Sequence, residues 1–323
     1  MDKKMISTKD VHIRNDMRHF TKHARGFTLL ELMIAVLLGS IVIAVVGGLF
    51  LANTNTFRAV DDSSRMQENG RFALQTLGRI VRQAGFIPAD VLQNTDPSKA
   101  PPNAAFPNNP VSELGATFLA GRDGTGQNSS DEITLAQRGA PGGQIVDCTG
   151  TPTTAAPMPP NSPIAITATT TPVINRFYVA PASSGITGDN SLWCDVTIPG
   201  TVVGSVGTTL RYELITGVES FQVLYGVAPN GLSLEYVTSA NKIVGAQFNS
   251  VMSIQVALVL RGAERATVDK ARTGSELQLK PFGDYDGIVN ADPGAIFTIS
   301  AADKSKTFRV LTSTINLRNR SVT

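Results

Sequence analysis

The side chains that most often carry out catalysis are scarce in this chain of 323 residues. All three histidines (His12, His19 and His23) lie near the N-terminus, so a protein that loses this segment has no histidine left. That excludes a Ser-His-Asp or Cys-His apparatus and any histidine-ligated metal in the remaining chain. The two cysteines, Cys148 and Cys194, are too few for a zinc site built from four thiolates. We therefore expect no enzymatic activity and no cofactor.

Two groups of acidic residues were considered for metal binding or proton transfer. Asp284, Asp286 and Asp292 lie in and after a turn bounded by glycines, but the spacing has no acid at the fifth position and no terminal Glu of an EF-hand loop. We predict a polar turn there and no metal site. Asp131 and Glu132 are adjacent and would point to opposite faces of a strand, so they do not form an acid pair by themselves.

A long apolar segment near the N-terminus contains one charge, because Glu31 is the only charged residue in 27–57. The uninterrupted apolar or small run 32–52 has 21 residues. As a helix it would be about 30 Å long, which matches the hydrocarbon core of a bilayer. The basic residues just before it should stay cytoplasmic, and the C-terminal body should lie across the membrane. This body has 21 Lys/Arg against 23 Asp/Glu, so its charge does not support nucleic-acid binding.

The position of Glu31 needs a physical explanation. An ionised carboxylate costs about 2.5–3.5 kcal/mol at the centre of a membrane helix and less near the interface. Either Glu31 lies at the headgroup level in the first helical turn, where acids are favoured, or another charge compensates it. A secretory signal would place a small-residue cleavage site after a shorter apolar core, whereas Gly26 precedes this one.

The sequence RGFTLLE at residues 25–31 closely resembles the prepilin cleavage motif of type IV pilins and type II secretion pseudopilins. The resemblance implies that a membrane-embedded prepilin peptidase cuts after Gly26 and methylates the new amine of Phe27. Glu31 is then the fifth mature residue, where the family carries its assembly glutamate. A buried amine cation on one subunit would neutralise this carboxylate on its neighbour.

The helix is expected to continue beyond the membrane, because no proline occurs before Pro88. Gly85 is the expected stop, so one helix is predicted over residues 27–84. Gly70 and Gly78 each weaken it by about 1 kcal/mol relative to Ala and would permit bending or close packing. A spacing of three to four residues predicts a stripe that packs against a head: Phe57, Val60, Ser64, Gln67, Arg71, Leu74, Leu77, Ile80, Val81 and Ala84.

After the helix, the sequence pattern is that of short strands separated by loops. Most of residues 88–130 and the Pro/Thr-rich residues 149–172 are expected to be loop. Strands are predicted at 133–135, 176–179, 191–194, 210–214, 221–225, 252–260 and 308–317. The fold class is therefore α+β, with a long N-terminal α-helix, transmembrane then amphipathic, carrying a mainly antiparallel, type IV pilin-like β head. The expected domains are a leader (1–26), a transmembrane half (27–52), an amphipathic half (53–86) and a periplasmic head (87–323).

Three segments of the mature chain resemble the minor pilins of the PilW type. They are residues 67–74 (QENGRFAL), 217–226 (GVESFQVLYG) and 315–319 (INLRN). Cys148 and Cys194 fit the same picture, because a disulfide forms and persists beyond the cytoplasmic membrane. Two free buried thiols are the alternative to that disulfide.

The resemblance implies a minor pilin that is held in the inner membrane and then enters a filament. Its expected partners are prepilin peptidase, other minor pilins, the major pilin and a tip adhesin, in a complex that primes pilus assembly at or near the tip. The cleavage motif also fits the minor pseudopilin J of type II secretion, which shares the helix-plus-β-head plan. A membrane-anchored periplasmic binding domain is a further rival, and it predicts no cleavage after Gly26.

Processing is the first testable expectation. Because the motif implies cleavage after Gly26, the mature protein should begin at Phe27 and carry one N-methyl group. The intact mass of the protein purified from its own membranes measures both changes at once. A mass that retains residues 1–26 would exclude the prepilin interpretation.

Overall fold

A computed structural model gives the structure of the chain. It describes residues 26–87, 118–139, 145–153, 172–185, 189–198, 208–227, 234–237, 243, 248, 250–265, 277–283 and 295–318. The described chain belongs to two units, which divide after Asn53. The leader up to residue 25, most of the Pro/Thr-rich segment and the candidate acids Asp284, Asp286 and Asp292 lie outside the described residues.

A single long helix, α1, spans Leu29–Gln83, close to the predicted 27–84. Its residues up to Asn53 belong to the first unit, and every described side chain of that unit is exposed. The helix ends at the predicted glycine. Gly85 has φ +73°, a left-handed conformation that glycine adopts without steric cost, and its N–H donates to Ala136 O at 2.9 Å.

The second unit contains two antiparallel sheets and a short hairpin. The first sheet has the order β1-β2-β3-β4-β5 and the second has the order β11-β8-β6-β7, while β9 and β10 pair with each other. All seven predicted strands are confirmed. The strands are β1 (Leu119–Arg122), β2 (Glu132–Arg138), β3 (Pro172–Pro181), β4 (Asn190–Ile198), β5 (Thr208–Thr216), β6 (Val218–Val227), β7 (Glu235–Val237), β8 (Val251–Arg265), β9 (Gln278–Leu279), β10 (Phe297–Thr298) and β11 (Lys306–Asn316).

One apolar core joins both sheets and the C-terminal part of α1. Phe177 of β3 lies opposite Ile133 of β2 and Cys194 of β4, so alternate residues of the first sheet point into this core. The second sheet and the helix contribute residues such as Phe221 and Leu77, which are fully buried. Burial of this kind is the main favourable contribution to folding.

The predicted stripe of α1 is correct only in its last turns. Leu77, Ile80, Val81 and Ala84 are buried as predicted, but the earlier residues Phe57, Val60, Ser64, Gln67 and Arg71 are exposed and Leu74 is only partly buried. The residues buried instead are Asp62, Met66, Gly70 and Ala73. The buried row contains small residues because the helix backbone lies close to the sheet.

Gly70 lies directly against two leucine side chains of the second sheet. A Cβ at this position would overlap Cδ1 of Leu311 on β11 and would lie 2.8 Å from Cδ1 of Leu260 on β8. The sequence allowed two roles for this glycine, helix bending or close packing. These contacts show that it permits close packing. Gly78 differs, because an added Cβ would meet only the Arg82 guanidinium, at 3.4 Å.

Cys148 and Cys194 are joined in a disulfide. Both residues are buried, and their Cα atoms are 6.6 Å apart. The bond links the segment 145–153 to β4 across 46 positions of sequence. In the chain-entropy model, closing a loop of this size stabilises the fold by roughly 4 kcal/mol.

The two helical glycines give a matched test of this packing. Gly70→Ala should lower the free energy of unfolding by about 1–2 kcal/mol, because overpacking outweighs the gain in helix propensity. Gly78→Ala should raise it by about 1 kcal/mol, because its Cβ would meet only the far end of the Arg82 side chain, at 3.4 Å. Urea unfolding of the full chain in detergent, followed by Trp193 fluorescence, measures both values. Equal stabilities of the two variants would contradict the close contact at Gly70.

Candidate functional site

The residues that the sequence assigns to processing lie at the start of the described chain. Gly26 and Phe27 precede the first turn of α1, and the Phe27 side chain is 87 % exposed. An added Cβ on Gly26 would find no heavy atom within 4 Å. The bond after Gly26 is therefore open to approach in the described part of the chain.

Glu31 takes part in a capping box at the N-terminus of α1. The Glu31 N–H donates to Thr28 Oγ1 at 3.2 Å, and the Thr28 N–H donates to Glu31 Oε2 at 3.4 Å. Each side chain thus satisfies a backbone donor that the first helical turn would leave unpaired. The sequence analysis missed this motif, although its signature, Thr-x-x-Glu before an apolar run, is present at residues 28–31.

The helix that follows Glu31 fits a membrane by length and composition. Large apolar side chains such as Leu32, Ile43 and Phe50 are at least 62 % exposed. Ser40 does not interrupt this surface, because its hydroxyl donates to Leu37 O at 2.8 Å within the helix. An apolar surface of this extent on every side of a helix indicates burial in lipid or in other helices.

In the second unit, the GVESFQV segment at the start of β6 builds a buried ionic cluster. A β-bulge between Val218 and Ser220 changes the register against β8 at Glu219. Glu219 Oε1 lies 2.5 Å from Arg261 Nε of β8, and both side chains are about 95 % buried (exposed fractions 6 % and 5 %). The backbone strengthens the junction, since the Arg261 N–H donates to Gly217 O at 2.8 Å.

Arg261 holds two more carboxylates, from segments distant in sequence. Its terminal nitrogens lie 2.5 Å from Asp189 and 2.9 Å from Asp303. Burial alone would lower the pKa of Arg261, but the charges of Glu219 and Asp303 and the hydrogen bond to Asp189 raise it above its ordinary value. Burial would raise the pKa of Asp303, but hydrogen bonding by Ser300 and the charge of Arg261 lower it.

The same segment of β6 connects the two sheets through Asp131. The carboxylate of Asp131 accepts the Val223 N–H at 2.8 Å and the Gly124 N–H at 3.0 Å. Glu132 has a different partner, since its Oε2 lies 2.6 Å from Arg176 Nη2. Asp131 and Glu132 therefore have separate partners and structural roles, in line with the prediction that they do not form an acid pair.

The described residues contain no group of three or more His, Cys, Asp or Glu side chains that could hold a metal ion. The ionic cluster around Arg261 is a different arrangement, because a guanidinium occupies the space between its carboxylates. Such a cluster holds strands together and offers no open coordination position.

Removal of Arg261 tests the cluster. Arg261→Met should lower the free energy of unfolding by about 3–5 kcal/mol, because buried Glu219 loses its counter-ion. Arg65→Met is the control and should cost no more than about 1 kcal/mol, because Arg65 and Asp61 are 73 % and 47 % exposed where they pair. The two variants and the wild type are compared by urea unfolding at pH 7.

The difference between wild type and Arg261→Met should also depend on pH. A lowered pKa of Asp303 stabilises the fold above the ordinary carboxyl pKa, and this contribution is lost as the pH falls through the lowered value. Because Arg261 is one cause of that lowering, the deficit of the variant should shrink below about pH 4. A deficit that is constant from pH 7 to pH 3 would show that packing rather than charge explains the loss.

Two protein-family models match the chain. The prokaryotic N-terminal methylation motif matches residues 21–47, and type IV pilus-assembly protein W matches residues 176–319. Among solved structures, the type IV-like pilin TTHA1219 from Thermus thermophilus is 11 % identical, with 81 % of this chain and 96 % of that chain covered and a TM-score of 0.39. The chain has no significant match among curated proteins. The chain is therefore a type IV pilin-like protein that combines a prepilin N-terminal methylation motif with a PilW domain running from β3 to the end of β11.

Proposed function

We propose that this protein is a minor pilin that helps to initiate type IV pilus assembly, at or near the pilus tip. Prepilin peptidase cuts after Gly26 and methylates Phe27. The mature protein then joins other minor pilins and the major pilin, and the complex presents a tip adhesin. Members of the pilin family are structural subunits, so the contribution is one of assembly and not of catalysis.

The observation that carries this proposal is the single carboxylate at the start of an exposed apolar helix. Glu31 is the third residue of α1, and every described side chain from there to Asn53 is exposed. A charged group at this position needs a partner once lipid or other helices surround it. In the proposed function that partner is the methylated amine of Phe27 on a neighbouring subunit.

The proposed arrangement in the cell follows from the same segment. Residues 1–26 form the cytoplasmic leader, 27–52 the transmembrane half of the helix, 53–86 its amphipathic half and 87–323 the periplasmic head. The disulfide between Cys148 and Cys194 supports a head outside the reducing cytoplasm. The subunit is first stored in the inner membrane and later moves into the filament.

Two substitutions of Glu31 separate its charge from its capping bond. Glu31→Gln retains a side chain that accepts the Thr28 N–H but loses the charge, whereas Glu31→Ala loses both. If the charge pairs with a neighbouring amine, both variants should be cleaved normally and both should reduce surface pili at least tenfold. Full activity of Glu31→Gln would assign the residue to helix capping instead.

The assay compares a strain lacking this gene with strains complemented by the wild type and by each variant. Pili sheared from the surface are quantified, and type II secretion is measured in parallel. Scarce pili with normal secretion support the proposal. Normal pili with failed secretion would assign the chain to the pseudopilin J function, and no change in either would contradict a role in assembly.

A further inference from the structure

The second sheet ends in a long strand with one free side. β11 pairs with β8 in unbroken register from Phe308 to Asn316, and no other described strand pairs with it. Such an edge presents backbone N–H and C=O groups to any extended chain that approaches. Its outward side chains Thr312, Thr314 and Asn316 are exposed.

This edge lacks the features that usually prevent strand addition. The edge strands β1 and β7 are only four and three residues long. The longer edge β5 has a register shift against β4 and carries Arg211 and Glu213. By contrast, residues 310–316 of β11 contain no charge, proline, glycine or bulge. An unprotected edge of this length indicates a site at which another strand binds.

A groove of about 400 Å³ runs beside this edge, between α1 and β11. We call it the β11 groove. Its apolar lining comes from Leu74, Leu311 and Ile315, and Gly78 leaves space on the helix side. Because side chains of a strand alternate, a strand added to β11 would direct every second side chain into this groove.

The charge of the β11 groove selects the kind of strand that binds. Arg71 lines it, and no carboxylate does so among the described residues. Arg309 lies on the same face of β11 as Leu311, because their positions differ by two. A second copy of this chain would bring the same arginines to the contact, and like charges would repel. A strand with carboxylates is the complementary ligand.

We propose that β11 binds an extended segment of another protein that alternates apolar and acidic residues. The segment adds as a strand to the free edge of β11 through backbone hydrogen bonds. Its apolar side chains fill the β11 groove, and its carboxylates pair with Arg71 and Arg309. This interaction surface does not depend on the role of Glu31 or on the function of the filament.

The direct test uses a fluorescein-labelled, terminally blocked peptide of nine alternating valine and glutamate residues. Its affinity for the full chain in uncharged detergent is measured by fluorescence anisotropy. A twin peptide with lysine in place of glutamate should bind at least tenfold more weakly. Equal binding of the two peptides, or no binding of the acidic one, would overturn the proposal.

Two pairs of variants locate the binding site. Gly78→Leu fills the β11 groove and should lower the affinity for the acidic peptide at least tenfold. Gly78→Ala adds only a methyl group and should leave this affinity unchanged. Arg71→Glu should also lower the affinity for the acidic peptide at least tenfold. Arg58→Glu, at an exposed arginine of the same helix outside the groove, should leave affinity unchanged.

The fold and the oligomeric state are checked on the same samples. Gly78→Leu replaces a helical glycine, so its melting temperature should not fall, and a loss of binding with normal melting supports the proposal. Sedimentation in detergent reports any self-association. If the wild type is a dimer and Gly78→Leu is a monomer, the β11 groove binds a second copy of the chain. That result would overturn the assignment to an acidic strand.

Discussion

The close contact between α1 and the second sheet at Gly70 determines much of the second unit. Since Gly70 has no Cβ, Leu260 and Leu311 lie directly against the helix backbone. That approach buries the row of α1 that contains Met66 and Ala73, and it leaves Phe57 and its neighbours exposed. The β11 groove lies between the same two elements, α1 and β11.

Local sequence patterns predicted the long helix and seven of the eleven strands, but not the short strands β1, β7, β9 and β10 or which helix face is buried. Strand alternation and an uninterrupted apolar run depend on neighbouring residues, which the sequence displays directly. The buried face depends on how near a sheet comes, and the nearest approach favours Gly70 and Ala73 over larger residues. The spacing of three to four residues instead selected a row that includes Phe57 and Val60, which are 74 % and 63 % exposed.

The candidate site likewise has one feature that can be predicted from sequence and one that cannot. The capping box of Thr28 and Glu31 spans four residues and was open to prediction from sequence alone. The ionic cluster was not, because Glu219 and Arg261 lie 42 positions apart and meet only through a bulge that changes the register of β6. A bulge is set by the pairing of two strands, so no single segment displays it.

The capping box also explains how Glu31 can have two partners in the proposed function. An ionised carboxylate has about four acceptor sites, and the Thr28 N–H uses one of them. The remaining sites are free for a cation, and the cap holds the carboxylate in the first turn of α1, beside Phe27. Because cleavage after Gly26 makes Thr28 the second mature residue, the new amine lies one residue before the cap. In the proposed function this amine pairs with the Glu31 carboxylate of a neighbouring subunit, so the helix cap and the contact between subunits use the same side chain.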